Sequence, residues 1–383
     1  MKPGRSEGPE RARLKRAVGE RPVTFVLGAG VSRSLGVPDW RALTRLLWSK
    51  AHGAERLPSF LRDEHAALER TVEWAKKNEG DAFATRLCLS TVHPLADQMA
   101  LELVKLVLDE KDERAFAAHI RSALYPKSAR APGPGDTLGV LARLLVAEQT
   151  AARRRVVRVI TLNADDHLET AANRGHSALR DPVLWPIARE SGHPRASNGA
   201  GGKPPIPVYH VHGFLPREGS APKWRDAPDT LVFTDSEYWA TVASPLSFAN
   251  RVFAQALHDS SCVFVGVSMT DVNLIRWLGA RYNAICDDKR EQARTVGSRE
   301  RREKTRGSMR AALARHFWIR PSDPERVVGD LLRERGVTSV PIEHWGQPFE
   351  RLVFECFGRD ASNSRAGLRR PRRAARARRR PTG

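Results

Sequence analysis

The chain has 383 residues, 41% of them hydrophobic, and a formal net charge of +20 at pH 7. This length and composition are typical of a soluble globular protein with one large α/β domain or two smaller ones. No apolar run approaches the roughly 20 residues of a membrane span, and the N-terminus lacks the apolar segment of a signal peptide. We therefore expect a cytoplasmic protein with no membrane contact.

Much of the excess positive charge lies at the C-terminus. Nine arginines fall between Arg365 and Arg380, so the rest of the chain carries about +11 (20 − 9). The segment has no apolar periodicity, and we predict that residues 359–383 form a disordered Arg-rich tail. The tail could contact nucleic-acid phosphates non-specifically, but a solvated tail with no partner is an equally good interpretation.

The first predicted strand leads into a glycine turn. Residues 1–20 are charged and are predicted to be a flexible N-terminus, whereas the apolar residues 23–27 predict a buried strand. Gly28, Ala29 and Gly30 follow directly and allow a sharp turn. A helix beginning just after such a turn would direct unpaired N–H groups at a bound phosphate.

The same turn departs from the usual dehydrogenase motif. That motif needs a third glycine at the position where Arg33 stands. A glycine pair after a strand can also be a tight turn without any ligand. The departure disfavours a plain hydride-transfer enzyme.

Helical and strand patterns divide the rest of the chain. Apolar residues recur every three or four positions over about 42–153, which predicts a helical insertion. After Arg155, short apolar runs alternate with helical segments, which predicts a Rossmann-like α/β fold: a mostly parallel sheet with helices on both faces, within one domain over 21–358. Strands are predicted at 156–161, 208–212, 262–267, 316–319 and 338–343, and surface loops at 191–207 and 287–307.

Polar residues follow four of the predicted strands. Because ligands of parallel sheets bind beyond the carboxyl ends of the strands, these residues are expected to share one crevice. Singly, each has a structural explanation: Asn163, Asp165 and Asp271 could cap helices, and His212 could be a satisfied histidine beside a turn. Their coincidence at four strand ends favours a site. The candidates are Gly28 to Ser32, Asn163, Asp165, His212, Gly266, Ser268 and Asp271, whereas His210 gains no role from this argument.

The order of these motifs resembles that of bacterial sirtuin-like domains of the NAD-hydrolysing, anti-phage defence type, over about residues 22–357. The segments that carry the resemblance are GAGVS, the later GVPDWR ending at Arg41, TLNADDHLE, VYHVHG, LVFTDSEYW and FVGVSMTDVNL. Ala164 replaces the family's aromatic residue or isoleucine, and His210 replaces its lysine or glutamate. The four cysteines form no CxxC pair, unlike the zinc-bearing deacylases of the wider family, so we expect no metal and a helical insertion in place of a zinc module.

The resemblance implies a role for each motif. Gly28, Ala29, Gly30 and Ser32 would contact the dinucleotide, and Gly266, Ser268 and Asp271 would face its phosphate or ribose. Asp39, Trp40 and Arg41 would close over the nicotinamide end, although Trp40 could equally anchor the start of a helix. These roles are expectations for the residues as numbered in this chain.

The chemistry of NAD hydrolysis suggests the catalytic residues. Nicotinamide leaves as a neutral group, so the barrier depends on stabilising a cationic ribose and positioning a nucleophile. Asn163 can hydrogen-bond ribose or water, Asp165 can favour the developing cation, and His212 can accept a proton. We therefore expect an NAD glycohydrolase that releases nicotinamide and ADP-ribose.

Two other functions remain open. A protein deacylase or ADP-ribosyltransferase would use the same substrate, although the missing zinc cysteines count against deacylation. An inactive scaffold that binds nucleic acid as a partner subunit would draw on the Arg365 to Arg380 tail. The resemblance implies that an NAD-hydrolysing protein of this kind acts in anti-phage defence. We expect homo-oligomerisation or a separately encoded sensor partner to trigger its activity.

Overall fold

The computed structural model describes residues 8–53, 94–110, 112, 114–174, 182–192, 203–219, 230–269, 271–294, 314–321 and 326–358. The Arg-rich tail predicted for 359–383 and the first seven residues of the predicted flexible N-terminus lie outside these ranges. Among the described helices, none is long and apolar enough to cross a membrane.

A seven-stranded, wholly parallel sheet forms the centre of the protein, in the order β3-β4-β2-β1-β5-β6-β7. The strands are β1 (Val23–Leu27), β2 (Val156–Thr161), β3 (Leu184–Ile187), β4 (Ile206–His210), β5 (Ser261–Val265), β6 (His316–Pro321) and β7 (Val337–Ile342). The predicted Rossmann-like α/β fold is therefore confirmed.

Helices cover both faces of this sheet. They are α1 (Pro9–Glu20), α2 (Trp40–His52), α3 (Pro94–Asp109), α4 (Ala115–Leu124), α5 (Thr137–Thr150), α6 (His167–Arg174), α7 (Asp235–Ala243), α8 (Phe248–Asp259), α9 (Val272–Arg294), α10 (Arg326–Glu334) and α11 (Gln347–Phe357). Helices α3 to α5 fall within about 42–153, the part of the chain predicted as a helical insertion, and α2 begins two residues before it.

The two faces have separate cores because side chains alternate along each strand. Phe25 and Leu27 of β1 pack with α1, α2, α3, α4, α5, α6 and α11, whereas Val26 faces α8, α9 and α10. Helices α2 to α5 therefore share a core with one face of the sheet. Burial of both faces accounts for the near-continuous apolar runs that predicted the strands.

The strands after β1 are added first on one side of β1 and then on its other side. From β1 the chain proceeds to β2 and onward to one edge, then returns to β5 on the other side of β1. Leu27 at the end of β1 is level with Thr161 of β2 and with Val265 of β5. The loops after these three strands therefore meet at one topological switch point, where open α/β sheets bind ligands.

Several elements differ from the sequence-based expectations. Residues 9–20 form α1 instead of a flexible segment, because Leu14 and Val18, four residues apart, are buried beneath its charged face. The predicted charged loop at 287–307 begins within α9, which continues to Arg294. Glycine-turn residues lead into two short 3-10 turns, Ala29–Val31 and Arg33–Leu35, and the first α-helix after β1 begins only at Trp40.

Candidate active site

The loops after β1 and β5 pack directly against each other through three glycines. A Cβ on Gly28 would lie 2.7 Å from the carbonyl oxygen of Gly266, and one on Gly30 would lie 2.8 Å from the Gly266 Cα. Gly28 has φ −116°, which any residue can adopt, so space and not backbone conformation requires glycine there. Gly266 has φ +66°, and its own Cβ would lie 2.5 Å from the backbone nitrogen of Val31.

Asn163 reaches this glycine contact from the end of β2. Its side-chain nitrogen Nδ2 donates to the carbonyl oxygen of Gly28 at 3.3 Å and lies 3.5 Å from the hydroxyl of the buried Ser32. Its backbone N–H donates to the Thr161 hydroxyl at 3.0 Å. The structure thus brings Asn163, Gly28 and Ser32 together.

His212 lies just beyond β4 and is almost fully buried. Its backbone carbonyl accepts a hydrogen bond from the N–H of Val232 at 3.2 Å, and its ring hydrogen-bonds the backbone of Leu162. The ring nitrogen Nε2 is buried, lies 3.8 Å from Oδ2 of Asp271 and has no hydrogen-bond partner in the described part of the chain. A buried, unpartnered polar atom is uncommon in a folded protein and often marks a place that a ligand fills.

The protonation of His212 follows from these contacts. A backbone carbonyl can only accept, so the ring nitrogen that bonds Leu162 carries the proton. Nε2, which has no partner, then holds a free lone pair in the neutral ring. Burial lowers the pKa of His212, while the charge of Asp271 and the Leu162 hydrogen bond act in the opposite direction. Neutral His212 is therefore the dominant form near pH 7 and can accept a proton.

The two carboxylate oxygens of Asp271 accept hydrogen bonds from two different neighbours. Oδ1 accepts the backbone N–H of Leu274 at 2.8 Å and so supports the start of α9, the structural role that capping predicts. Oδ2 accepts the hydroxyl of Tyr238 at 3.1 Å and faces His212. The same carboxylate therefore holds a helix in place and sets the electrostatic environment of the histidine.

Tyr238 is a site residue that the strand-end rule missed. Its ring centre lies 5.3 Å from that of His212, and burial together with the nearby Asp271 raises the pKa of its hydroxyl well above the ordinary value. Tyr238 thus remains protonated and donates to Asp271. It comes from α7, whose first turn is fixed by a capping box between Thr234 and Glu237. The segment LVFTDSEYW was the available signal for it.

The segment Asp39, Trp40 and Arg41 approaches from the start of α2. Asp39 caps this helix by accepting the N–H of Ala42 at 3.0 Å. The half-buried Trp40 packs 5.0 Å from Phe233 and meets the Tyr238 ring edge-on at 6.4 Å, between ring centres. Trp40 is therefore both an anchor of the helix start and a neighbour of the His212 environment. Arg41 lies in the first turn of the helix, half-buried.

The remaining candidates lie around the same loops. Ala29 is within the glycine turn, and Ser268 is exposed in the loop after β5. Asp165 is buried, and its Oδ1 accepts the N–H of His167 at 3.1 Å, so the carboxylate supports the start of α6. Within the described ranges no group of three or more His, Cys, Asp or Glu side chains is placed to hold a metal ion.

The donor set fits a dinucleotide. A close glycine contact lies at the switch point, and the unpartnered Nε2 of His212 adjoins a carboxylate and two aromatic rings. Glycines without side chains let a dinucleotide approach the backbone closely, and a base beside aromatic side chains suits the ribose and nicotinamide end.

Comparison with known proteins shows a similarity for part of the chain. A family model described as a SIR2-like domain matches residues 157–338, a range that begins within β2, ends within β7 and includes Asn163, His212 and Asp271. No curated protein matches the chain. Residues 157–338 of the chain are thus similar to a SIR2-like domain, and domains of this kind use NAD.

Proposed function

We propose that the protein is an NAD glycohydrolase, which cleaves the bond between nicotinamide and ribose to give nicotinamide and ADP-ribose. One observation carries the proposal. Among the residues that the structure describes, the buried Nε2 of His212 has no hydrogen-bond partner, and it lies 3.8 Å from Asp271 of the loop after β5, at the switch point of the sheet. A free base at that position can deprotonate an attacking water or a ribose hydroxyl.

The proposed mechanism assigns two principal roles. Nicotinamide departs as a neutral leaving group, so no acid is needed to protonate it. Asn163 orients the ribose or the water through its amide, which adds hydrogen bonds without a net charge. His212 accepts the proton that the nucleophile loses. Asp165 remains a candidate for favouring the cationic ribose, although one of its oxygens is already bonded at the start of α6.

The aromatic residues support hydrolysis by shaping the nicotinamide end. Trp40 and Tyr238 pack edge to face, and Tyr238 in turn contacts His212. An aromatic wall beside the reacting bond excludes bulk water and lowers the local dielectric, which strengthens the interactions that stabilise charge there. The turn at Gly28, Ala29 and Gly30 would let the pyrophosphate approach the backbone closely, while the N–H groups of Gly28 and Gly30 already donate to the carbonyl oxygens of Val265 and Gly266.

Changing Asp271 to Asn tests the role of His212 through the pH dependence of kcat/KM. Because the pKa of His212 is lowered, the base form is present at and above neutral pH and is lost only as the pH falls through that lowered pKa. The charge of Asp271 opposes the lowering. Asn keeps the cap of α9 but removes the charge, so the acidic limb of the profile is expected to move to lower pH. A limb that stays in place, or moves to higher pH, contradicts this role of His212.

Product analysis separates the proposed reaction from its relatives. Purified protein is incubated with NAD and an acetyl-lysine peptide, and the products are identified by mass spectrometry. Nicotinamide with free ADP-ribose supports hydrolysis. An acetylated ADP-ribose supports deacylation, and a mass increase on protein or peptide supports ADP-ribosyl transfer, and either result would replace the proposal.

We infer, from the resemblance to defence-associated sirtuin-like domains, that the hydrolysis depletes cytoplasmic NAD in an abortive response to phage. In that setting the activity is triggered, by homo-oligomerisation or by a separately encoded partner that senses invading nucleic acid. Truncation after Arg359 tests whether the basic tail takes part. Loss of nucleic-acid binding with unchanged NAD hydrolysis would assign the tail to binding alone.

A further inference from the structure

A buried histidine and glutamate lie directly behind Asn163. His210, the last residue of β4, is 1% exposed and contacts two acceptors: the backbone carbonyl oxygen of Asn163 at 2.9 Å through Nδ1, and Oε1 of Glu169 at 2.7 Å through Nε2. Glu169, on α6, is also 1% exposed. The pair connects a helix and a strand to the backbone of the proposed catalytic asparagine.

The partners fix where the protons lie. The Asn163 carbonyl can only accept, so Nδ1 of His210 must carry a proton and donate it. Nε2 then has two possibilities: it donates to an ionised Glu169, or it accepts from a protonated Glu169. Either way one proton is shared between Nε2 and the carboxyl group, and the pair is neutral as a whole. Both hydrogen bonds can form together only while that proton is present.

We propose that His210 and Glu169 are positioning residues that hold the Asn163 backbone so that its amide points into the site. This inference rests on the proposed catalytic role of Asn163. The Asn163 carbonyl is held by His210, its N–H by Thr161, and its side chain then reaches Gly28. A displaced backbone would misplace the amide, and displacements of about 1 Å can cost about 100-fold in rate.

The surroundings make the shared proton stable. Burial, together with the nearby charge of Asp166, raises the pKa of Glu169, while His210 opposes that shift. Asp166 itself accepts the hydroxyl of Tyr125 at 3.0 Å, and the ring of Phe214 lies 4.3 Å from that of His210. The apolar ring of Phe214 and the negative charge of Asp166 both disfavour a negative charge on Glu169. The pair of His210 and Glu169 therefore stays neutral.

Loss of the shared proton at high pH has a defined consequence. A neutral His210 beside an ionised Glu169 has one proton for two acceptors, so it can bond either Glu169 or the Asn163 carbonyl but not both. The asparagine backbone then loses its fixed position in part of the population. Wild-type kcat is therefore expected to fall at high pH.

Three variants test the proposal through kcat, KM and melting temperature. In Glu169→Gln, the amide N–H can donate to Nε2 while Nδ1 still donates to Asn163, so kcat is expected within about threefold of wild type, without the fall at high pH. His210→Lys, whose ammonium can donate to both the Asn163 carbonyl and Glu169, is expected to keep kcat within about tenfold of wild type at neutral pH. The double variant His210→Leu/Glu169→Leu removes both polar groups, which limits the loss of stability.

The double variant is expected to lower kcat by about 10- to 100-fold with KM within about threefold of wild type, because misplacement affects the reaction more than binding. A double variant with wild-type kcat would overturn the proposal. So would a Glu169→Gln variant as slow as the double variant, because that result would show that the negative charge, and not the position of Asn163, matters.

A measurement independent of activity keeps this test separate from that of the proposed function. The side-chain amide signal of Asn163, assigned by its loss in Asn163→Ala, is recorded by nitrogen-15 NMR. It is expected to shift in the double variant and to stay near its wild-type position in Glu169→Gln. An unshifted signal in the double variant overturns the positioning role even if the wild type hydrolyses NAD. A wild type that binds NAD but releases no nicotinamide overturns the proposed function alone.

Discussion

Replacing His212 by Gln is expected to lower kcat for nicotinamide release by about 10²- to 10⁴-fold, the usual contribution of a general base. Gln is close to His in size and can still donate to the Leu162 carbonyl, so the buried position remains filled. It cannot accept a proton at the site of Nε2, which the structure leaves unpartnered and 3.8 Å from Asp271. Nicotinamide release at saturating NAD measures the effect.

The matched control is His258→Gln, which changes an exposed histidine on α8. It is expected to leave kcat and melting temperature unchanged. His212→Gln should also melt close to the wild type, since the hydrogen bond from its side chain to the Leu162 carbonyl is retained. If His212→Gln kept kcat within about threefold of wild type, another group would have to supply the base, and the proposed role would be lost.

Replacing Gly266 by Ala is expected to lower the free energy of unfolding by about 2–5 kcal/mol. Its φ of +66° costs roughly 1–2 kcal/mol for a residue with a Cβ, and overpacking typically adds about 1–3 kcal/mol. The new methyl group would lie 2.5 Å from the backbone nitrogen of Val31, in a contact with no flexible side chain to move aside. Denaturant unfolding without NAD measures the loss.

Gly279→Ala, in α9, is the control for this experiment. A Cβ there meets nothing within 4 Å, so the substitution removes only the backbone freedom of glycine and is expected to stabilise by about 0.5–1 kcal/mol. Equal stability of Gly266→Ala and wild type would show that the loops after β1 and β5 do not pack as described. The result also separates a packing requirement for glycine from a requirement imposed by NAD.

Most of the sheet could be predicted from the sequence because its strands are buried on both faces. The apolar run at 156–161 coincides with β2, and β5, β6 and β7 begin within one residue of their predicted starts. The strand β4 begins two residues earlier than predicted, at Ile206. Its actual end at His210 places His212 in the following turn, which is where a strand-end residue must lie to face a ligand.

Elements with weak periodicity could not be predicted. Strand β3 has four residues, one of them Pro186, and lies at the edge of the sheet, so neither length nor composition distinguishes it from a loop. Helix α1 hides two buried residues among charged ones. Helix α9 continues into a charged run because its exposed face tolerates charge. The composition of that run resembles the composition of a loop, so the sequence does not reveal the end of the helix.

The candidate site was only partly accessible to sequence reasoning. Parallel strands align their carboxyl ends, so Asn163, His212 and Asp271 could be grouped from their positions in the sequence alone. Tyr238 follows no strand directly and joins them only through the packing of α7. Glu169 also escaped notice, because its partner His210 is revealed only by the register of β2 with β4 and the position of α6.

Nicotinamide release from NAD by the wild type and by Asn163→Ala, each with and without added nucleic acid, tests the proposed function most directly. We expect the wild type to release nicotinamide and ADP-ribose in equal amounts, in at least one condition, and Asn163→Ala to be slower by about 10²-fold while still folded, the size of effect that positioning interactions have. Equal rates for the two proteins, or NAD binding by the wild type with no nicotinamide released in any condition, would contradict it.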